Sequence, residues 1–489
     1  MGNSILFMQF LLGIVLEIRP CSGSMTTEVA RSKETETLSE EESVDQDRDR
    51  PTYDGPAAMV RRSGGAGDLV RGSLWLGAVV VISALGGFAF WVVAARVGAP
   101  STVGRASALF TLALMLNWAT GLGLPVAVAR YAHDQSPGAR TLFSWAVVLT
   151  TLSSAVGAAI LLAVLPARVA APLWYWGRPA GFLLFFAVVT GMSFTNLVDV
   201  RLMALRKWRW VLIRAVAVAV VRLPFVTAHP IGNDATWLFL LVAGSQALSG
   251  LTAIAFIQRP ARLLRRLRAL PASTANAVRY AGVNYLSQLA VQAPFFAVPL
   301  IVLLHVSPAQ NASFYVAWSI MTVVFVVNQA MGQVVLVEGG KEGADLHRQM
   351  RLAVLLAGGV TVLASVAALF GSSLLVVMYG HAYRKSAQIL FPLVIANVGW
   401  CVTSICVAEC RVREHARSTV LITMAFSAAI LVPAALLTAS QGVDGAVRAW
   451  VFGNILAAAV AVRLAARTRT PERRSAAAQP TEVARAMAS

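Results

Sequence analysis

About a dozen apolar runs of membrane length follow one another between residues 73 and 465, with little chain between them. They are expected at 73–96, 103–129, 139–166, 179–204, 210–228, 235–258, 278–304, 312–337, 350–375, 385–409, 416–438 and 442–465. At about 1.5 Å of rise per residue each makes roughly 28–40 Å of helix, enough to cross a hydrocarbon core with some tilt. Strands of a membrane barrel would be about ten residues long with strict alternation, which these runs lack. Composition agrees. Hydrophobic residues make up 57% of the 489 and charged ones 13%, whereas a soluble domain is about a quarter charged. The expected fold is an all-α polytopic membrane protein of about 12 transmembrane helices.

Between the sixth and seventh runs lies RPARLLRRLRALP, Arg259 to Pro271, with five arginines and no acid. It divides the chain into an N-terminal tail (1–72), a six-helix bundle (73–258), a basic linker (259–277), a second six-helix bundle (278–465) and a basic tail (466–489). Leu263, Leu264, Leu267 and Leu270 repeat at helical spacing within the linker. This suits an amphipathic helix on an anionic leaflet, and equally plain cytoplasmic anchoring. With the N-terminal tail inside, the loops on that side, together with Arg61, Arg62 and Arg71 and the start of the C-terminal tail, hold about 23 basic residues against 7 on the other side. That asymmetry places both termini in the cytoplasm of a multi-pass plasma-membrane protein. Trp174, Tyr175 and Trp176 fit an outer aromatic belt, and Trp208 and Trp210 an inner one. The net charge of +18 is accounted for by topology, so no nucleic acid is expected as a partner.

Ahead of the first span, Ile5 to Ile18 resembles the core of a signal peptide, without a basic leader or an Ala-x-Ala-like site. It reads equally as sequence upstream of a true start at Met25. Thr26 to Pro56 is acidic and polar, the composition of a disordered tail. Cys21, Cys401, Cys406 and Cys410 form neither a disulfide framework nor a metal spacing.

Ionisable groups inside spans are the candidates for function. In the first half these are Asp199, Arg201, Arg214 and Arg222. Asp199 and Arg214 lie at similar depth on neighbouring antiparallel spans. They suit an ion pair, either structural or part of a site. Arg222 sits about 12 residues into its span, roughly 18 Å by helical rise, with no acid at matching depth. It must meet water, a partner or an anion, or else snorkel outward. In the second half Asn284, Gln288 and Gln292 fall at i, i+4, i+8 and make one polar stripe, loosened beyond by Pro294 and Pro299. Asn328, Gln329 and Gln333 follow on the next span. Asn397, Cys401 and Ser404 share a stripe on a later one, with Glu409 at its inner end. Amides also bond helices to each other in lipid. Several such stripes together point to a hydrated central cavity. Gly121 and Gly123 before Pro125 should break the inner end of the second span, while Gly157, Gly191, Gly244 and Gly250 suit close helix contacts. There is no P-loop and no extramembrane acidic pair. Neither enzyme chemistry nor a cofactor is expected.

Two tracts carry a resemblance. FAFWVVAARVGAPSTVGRASALFTLALMLNWATGLGLPVAVARYA, Phe88 to Ala132, holds an Ala95-Arg96-Val97-Gly98-Ala99-Pro100 turn and a Gly121 to Tyr131 ending. ASFYVAWSIMTVVFVVNQAMGQVVLVEGG, Ala312 to Gly340, is similar to the matching turn and span of the second half, and Val376 to Leu390 to the entry of the tenth span. In order and spacing the chain resembles bacterial polysaccharide flippases of the multidrug/oligosaccharidyl-lipid/polysaccharide exporter superfamily. The resemblance implies two six-helix bundles around a central cavity and flipping of a polyprenyl-pyrophosphate-linked oligosaccharide from the inner to the outer leaflet. It also implies membrane lipids as partners, together with glycan polymerases or glycosyltransferases. Cavity arginines hold the pyrophosphate in that family; Arg222 and Arg214 suit the role without matching a fixed motif. Twelve spans depart from the fourteen of the lipid II branch. The drug-exporting branch shares the twelve-span plan, often with intramembrane acids for cation coupling. A cation-coupled exporter of small amphiphiles is therefore the alternative on the same fold. A membrane glycan enzyme would need a large outer loop, and a scaffold would work through its tails.

Overall fold

The computed structural model describes residues 66–131, 136–228, 234–257, 272–339, 345–413 and 415–486. The linker from Arg259 to Pro271 and the tail up to residue 65 lie outside the described residues, and with them the amphipathic and disordered readings of those stretches. Every regular element among the described residues is helical. Among the described residues nine helices are long and apolar enough to cross a membrane, and Ile82–Val97 and Leu289–His305 are shorter apolar stretches. This is the architecture of a multi-pass membrane protein.

The first half comprises α1 (Ala66–Val97), α2 (Pro100–Thr120), α3 (Leu124–Tyr131), α4 (Pro137–Val164), α5 (Arg178–Ala204), α6 (Trp208–Ala228) and α7 (Ala235–Ile257). The second comprises α8 (Ala272–His305), α9 (Pro308–Gly339), α10 (Leu346–Phe370), α11 (Ser372–Tyr379), α12 (Arg384–Ile395), α13 (Asn397–Val412), α14 (Ala416–Gln441) and α15 (Val443–Ala486). Several boundaries differ from expectation: α8 starts at Ala272, within the stretch read as linker, and the tenth span is divided at Ala396 into α12 and α13. The first helix starts at Ala66 rather than 73. The last runs on to Ala486, so the basic tail is an extension of α15, built largely from alanine and arginine, which favour helix.

The two halves repeat one set of contacts. The first span packs on the fifth (α1 on α6, α8 on α14), the fourth on the sixth (α5 on α7, α13 on α15), and the third on the fourth (α4 on α5, α10 on α12). The entry to the fourth span also recurs. A short 3₁₀ turn precedes α5 and another precedes α12, each beside a glycine in the left-handed region, Gly177 at φ +89° and Gly380 at φ +99°. Only glycine adopts that geometry without strain.

The expected break in the second span is present. After Thr120 the chain turns through Leu122 at φ +48° and Gly123 at φ +69° before α3 begins. The preceding helix, α2, is buried over most of its length and stands at the centre of the molecule. It packs on α5 in its own half and on α8 and α9 in the other. Its small and polar residues suit a helix that faces protein rather than lipid. Gly104 of α2 lies directly on the Pro308 carbonyl at the start of α9, where a Cβ would have no room.

Within α7 the chain takes a π-turn at Leu240–Gly244. The helix is anchored on both sides of it. Asp234 caps the start, with Oδ1 accepting from the backbone N–H of Thr236 and Trp237 at 3.0 Å. Beyond the turn, Gly250 presses on the Gly191 carbonyl of α5, and the Thr195 hydroxyl donates to the Gln246 carbonyl at 2.7 Å.

Candidate functional site

Asp199 and Arg214 form the expected pair. Arg214 Nε donates to Asp199 Oδ1 at 2.8 Å and Nη2 to Oδ2, a two-pronged bond from α6 to α5 with both side chains buried. Fork-on-fork geometry is the strongest arrangement available to these groups. Arg201, two residues further along α5 and so on another side of the helix, is buried with its guanidinium 5.9 Å from the Phe143 ring centroid.

Arg222 lies in a different place. It is 4% exposed on α6, against α1, where its Nη2 sits beside Gly86 and Gly87. Its guanidinium lies 5.4 Å from the Phe90 ring centroid, and its Nε has no hydrogen-bond partner. No described acid pairs with it. Insertion scales put a guanidinium at bilayer depth at roughly 2.5–3.5 kcal/mol. A cation–aromatic contact returns about 0.5–2 kcal/mol, so Phe90 alone does not balance the charge. The glycines of α1 give the head group its space.

Around Arg222 the second half contributes hydroxyls. Tyr315 of α9 is within electrostatic reach of the guanidinium, and its ring meets Trp91 of α1 at 5.0 Å. Tyr379 packs edge-on against Phe88 of α1 at 5.9 Å and lies 5.7 Å from Tyr383. At the same end, Arg96 of α1 donates Nε to the Met378 carbonyl at 2.7 Å and Nη2 to the Val377 carbonyl. Asn311 Nδ2 donates to the Gly104 carbonyl at 3.0 Å. Arg222 thus sits beside a seam where the two halves close on each other.

The amides of the second half are held differently. Gln292 is 0% exposed, and neither its amide nitrogen nor its oxygen has a partner. The side chains of Asn284 and Gln288, expected on the same stripe, lie outside the described residues. Asn397 ties α13 back to the end of α12 through its Nδ2, while its Oδ1 is buried without a partner. Between α12 and α13 the chain turns at Ala396, and Asn397 Nδ2 donates to the Leu393 and Val394 carbonyls at 3.0 and 3.2 Å. Asn328 of α9 donates to Thr361 Oγ1 at 2.8 Å and to the Asn397 carbonyl at 3.1 Å, joining three helices. Glu409 is bonded to Arg413 at 3.2 Å, and Cys401, Cys406 and Cys410 are buried thiols outside any disulfide.

A further polar cluster was not anticipated. On α2 and α5, Ser193 Oγ and Asn196 Nδ2 both donate to Asn117 Oδ1, at 2.8 and 3.0 Å. The signal was available, since Asn117 is a lone amide within an apolar run and Asn196 lies one turn before Asp199. The tyrosines at the seam were also missed as candidates, although Tyr315, Tyr379 and Tyr383 lie inside the tracts that carry the family resemblance.

No family model and no curated protein matches this sequence. Solved structures do. An inward-facing conformation of a multidrug resistance MATE family transporter of the MOP superfamily is 15% identical, with a TM-score of 0.61 over 82% of this chain and 99% of that one. An outward-facing conformation from the same family is 14% identical, with a TM-score of 0.53 over 83% and 96%. A MOP superfamily transporter from Pyrococcus furiosus, described by a reverse polarity of its binding pocket, is 13% identical, with a TM-score of 0.52 over 82% and 95%. At these identities the likeness establishes the fold alone, two bundles of helices.

Proposed function

We propose that this chain is a transporter of the plasma membrane that flips a polyprenyl-pyrophosphate-linked oligosaccharide from the inner to the outer leaflet by alternating access. Its role would be in cell-surface polysaccharide assembly. One observation carries the reading: Arg222, a buried guanidinium that no described acid neutralises, lies beside the seam between the halves. An anion is the ligand that balances such a charge. A diphosphate cannot enter hydrocarbon unaided, because an isolated ion costs on the order of tens of kcal/mol there. In this reading Arg222 takes the diphosphate and the Asn284–Gln288–Gln292 stripe faces the sugars. Arg214 and Asp199, bonded to each other, hold α6 in place with Arg201 nearby, and Asn397 steadies the turn between α12 and α13. The polyprenyl tail stays in lipid while the halves rock about the site.

The solved structures of multidrug transporters favour a second reading, cation-coupled export of a small amphiphile on this fold. Coupling of that kind calls for an available intramembrane carboxylate. Asp199 is bonded to Arg214, Glu409 to Arg413, and Asp444 to Lys385. That inventory weighs toward the anionic substrate.

The test is the leaflet distribution of lipid-linked oligosaccharide in cells depleted of the protein and complemented with wild type or Arg222→Ala. The expected outcome is accumulation on the inner leaflet, rescued by wild type and not by Arg222→Ala at equal expression. An unchanged distribution on depletion would favour export of a small amphiphile instead.

A further inference from the structure

The closed seam beside Arg222 is built from unusual material. A contact whose only task is to hold two apolar bundles together can be made from aliphatic side chains, which leave no polar atom unsatisfied. Here the second half brings three tyrosines to it. Tyr315 meets Trp91 and Tyr379 meets Phe88 on neighbouring positions of α1, and Tyr383 lies 5.7 Å from Tyr379, so the three rings line one seam beside Phe90 and the Arg222 guanidinium. Ser319 Oγ donates to the Tyr315 backbone carbonyl at 2.6 Å, which leaves the phenol facing Trp91. Tyr383 is 1% exposed, and its hydroxyl has no partner. Phe88, Phe90 and Trp91 face the seam from α1. A buried hydroxyl without a partner is a rare feature that calls for an explanation.

We propose that Tyr379 and Tyr383 form the glycan-reading part of the substrate site, exposed when the seam opens, with Arg222 at one end for the diphosphate and the hydroxyls beyond it for the first sugars. This rests on the lipid-linked-glycan reading. The chemistry suits a sugar. Phenol hydroxyls donate to and accept from its hydroxyl groups, and flat apolar rings with polar tips cover its less polar faces. Separation of the halves by alternating access would bare the tyrosines together with Phe88 and Trp91. The unsatisfied Tyr383 hydroxyl then gains a partner in the open state, either water or a sugar. The arrangement, a cation beside hydroxyls, matches the adjacency of diphosphate and glycan in the substrate.

The test uses the full-length protein in liposomes with two probes, undecaprenyl diphosphate carrying a short oligosaccharide and undecaprenyl diphosphate without sugar. Their transbilayer movement is followed for wild type, Arg222→Ala and the double variant Tyr379→Phe with Tyr383→Phe. The phenylalanines keep both rings and remove only the hydroxyls, and a thermal melt close to wild type checks that packing survives. The expected result is that the double variant slows the glycan-bearing lipid about tenfold more than the sugar-free lipid, while Arg222→Ala slows both alike. Equal slowing of the two probes by the double variant, or slowing of neither, would overturn the proposal and leave the flippase reading standing. Failure of the wild-type protein to move either probe would remove that reading and this one with it.

Discussion

In the first half, the fourth and fifth spans are joined by charge, Arg214 closing on Asp199 between α6 and α5. In the second half the same two spans meet through rings, Trp400 of α13 against Phe426 of α14 at a centroid distance of 4.6 Å. Those rings belong to a larger aromatic packing in which Trp400 stacks on Phe325, and Trp318 meets Trp450. The contrast bears on tolerance. Removing one member of a buried ion pair strands the other, whereas trimming a ring leaves a void that neighbours partly fill. Equivalent positions in two halves of one fold thus carry different mechanical risk.

The comparison breaks most sharply at Asp199. Asp199→Ala leaves Arg214 charged and buried, and should destabilise the protein by about 3–5 kcal/mol. The check is the thermal melt in detergent or bilayer, with Asp199→Leu plus Arg214→Met expected to recover most of the loss. A full recovery of transport in that double variant would confine the pair to structure. Recovery of folding without transport would extend the binding site to it.

A middle-sized effect is expected where the halves touch. Gly104→Ala places a methyl on the Pro308 carbonyl, and overpacking of this kind costs about 1–3 kcal/mol. Because the clash lies between halves, the variant should also shift the balance of conformers. Cysteine cross-linking between Val97→Cys and Val377→Cys, both exposed at that end, should weaken relative to the parent protein.

The smallest effect is expected within the second half. Asn328→Ala removes its bonds to Thr361 and Asn397, and interhelical bonds in membranes average about 0.6 kcal/mol and reach about 1.7. A loss as large as that of Asp199→Ala would mean that the amides carry as much of the fold as the charges do, and the contrast between halves would fail.

Much of this was legible beforehand because the bilayer imposes it. Helix lengths follow from hydrocarbon thickness, so the starts of α4, α6 and α7 lie within a few residues of expectation. Asp199 and Arg214 could be paired because a short turn fixes the relative depth of two adjacent helices. Partners distant in sequence could not be read in this way. Arg222 meets Phe90 and comes near Tyr315 through contacts of α1 and α9, which no local pattern encodes. For Asn397, period alone does not tell which of its two polar atoms turns back onto the chain: Nδ2 bonds the Leu393 and Val394 carbonyls, and Oδ1 has no partner.

The π-turn of α7 can be understood as a surplus held between two fixed points. A residue inserted into a helix that is free at one end would simply rotate everything beyond it. Here Asp234 fixes the start, and the Gly191–Gly250 contact fixes the register beyond the turn. A surplus residue has nowhere to go except into a bulge at Leu240–Gly244. Seen this way, the segment is slack, one residue more than the distance between its two moorings needs. Deleting one residue from it would restore an ordinary helix without disturbing either mooring.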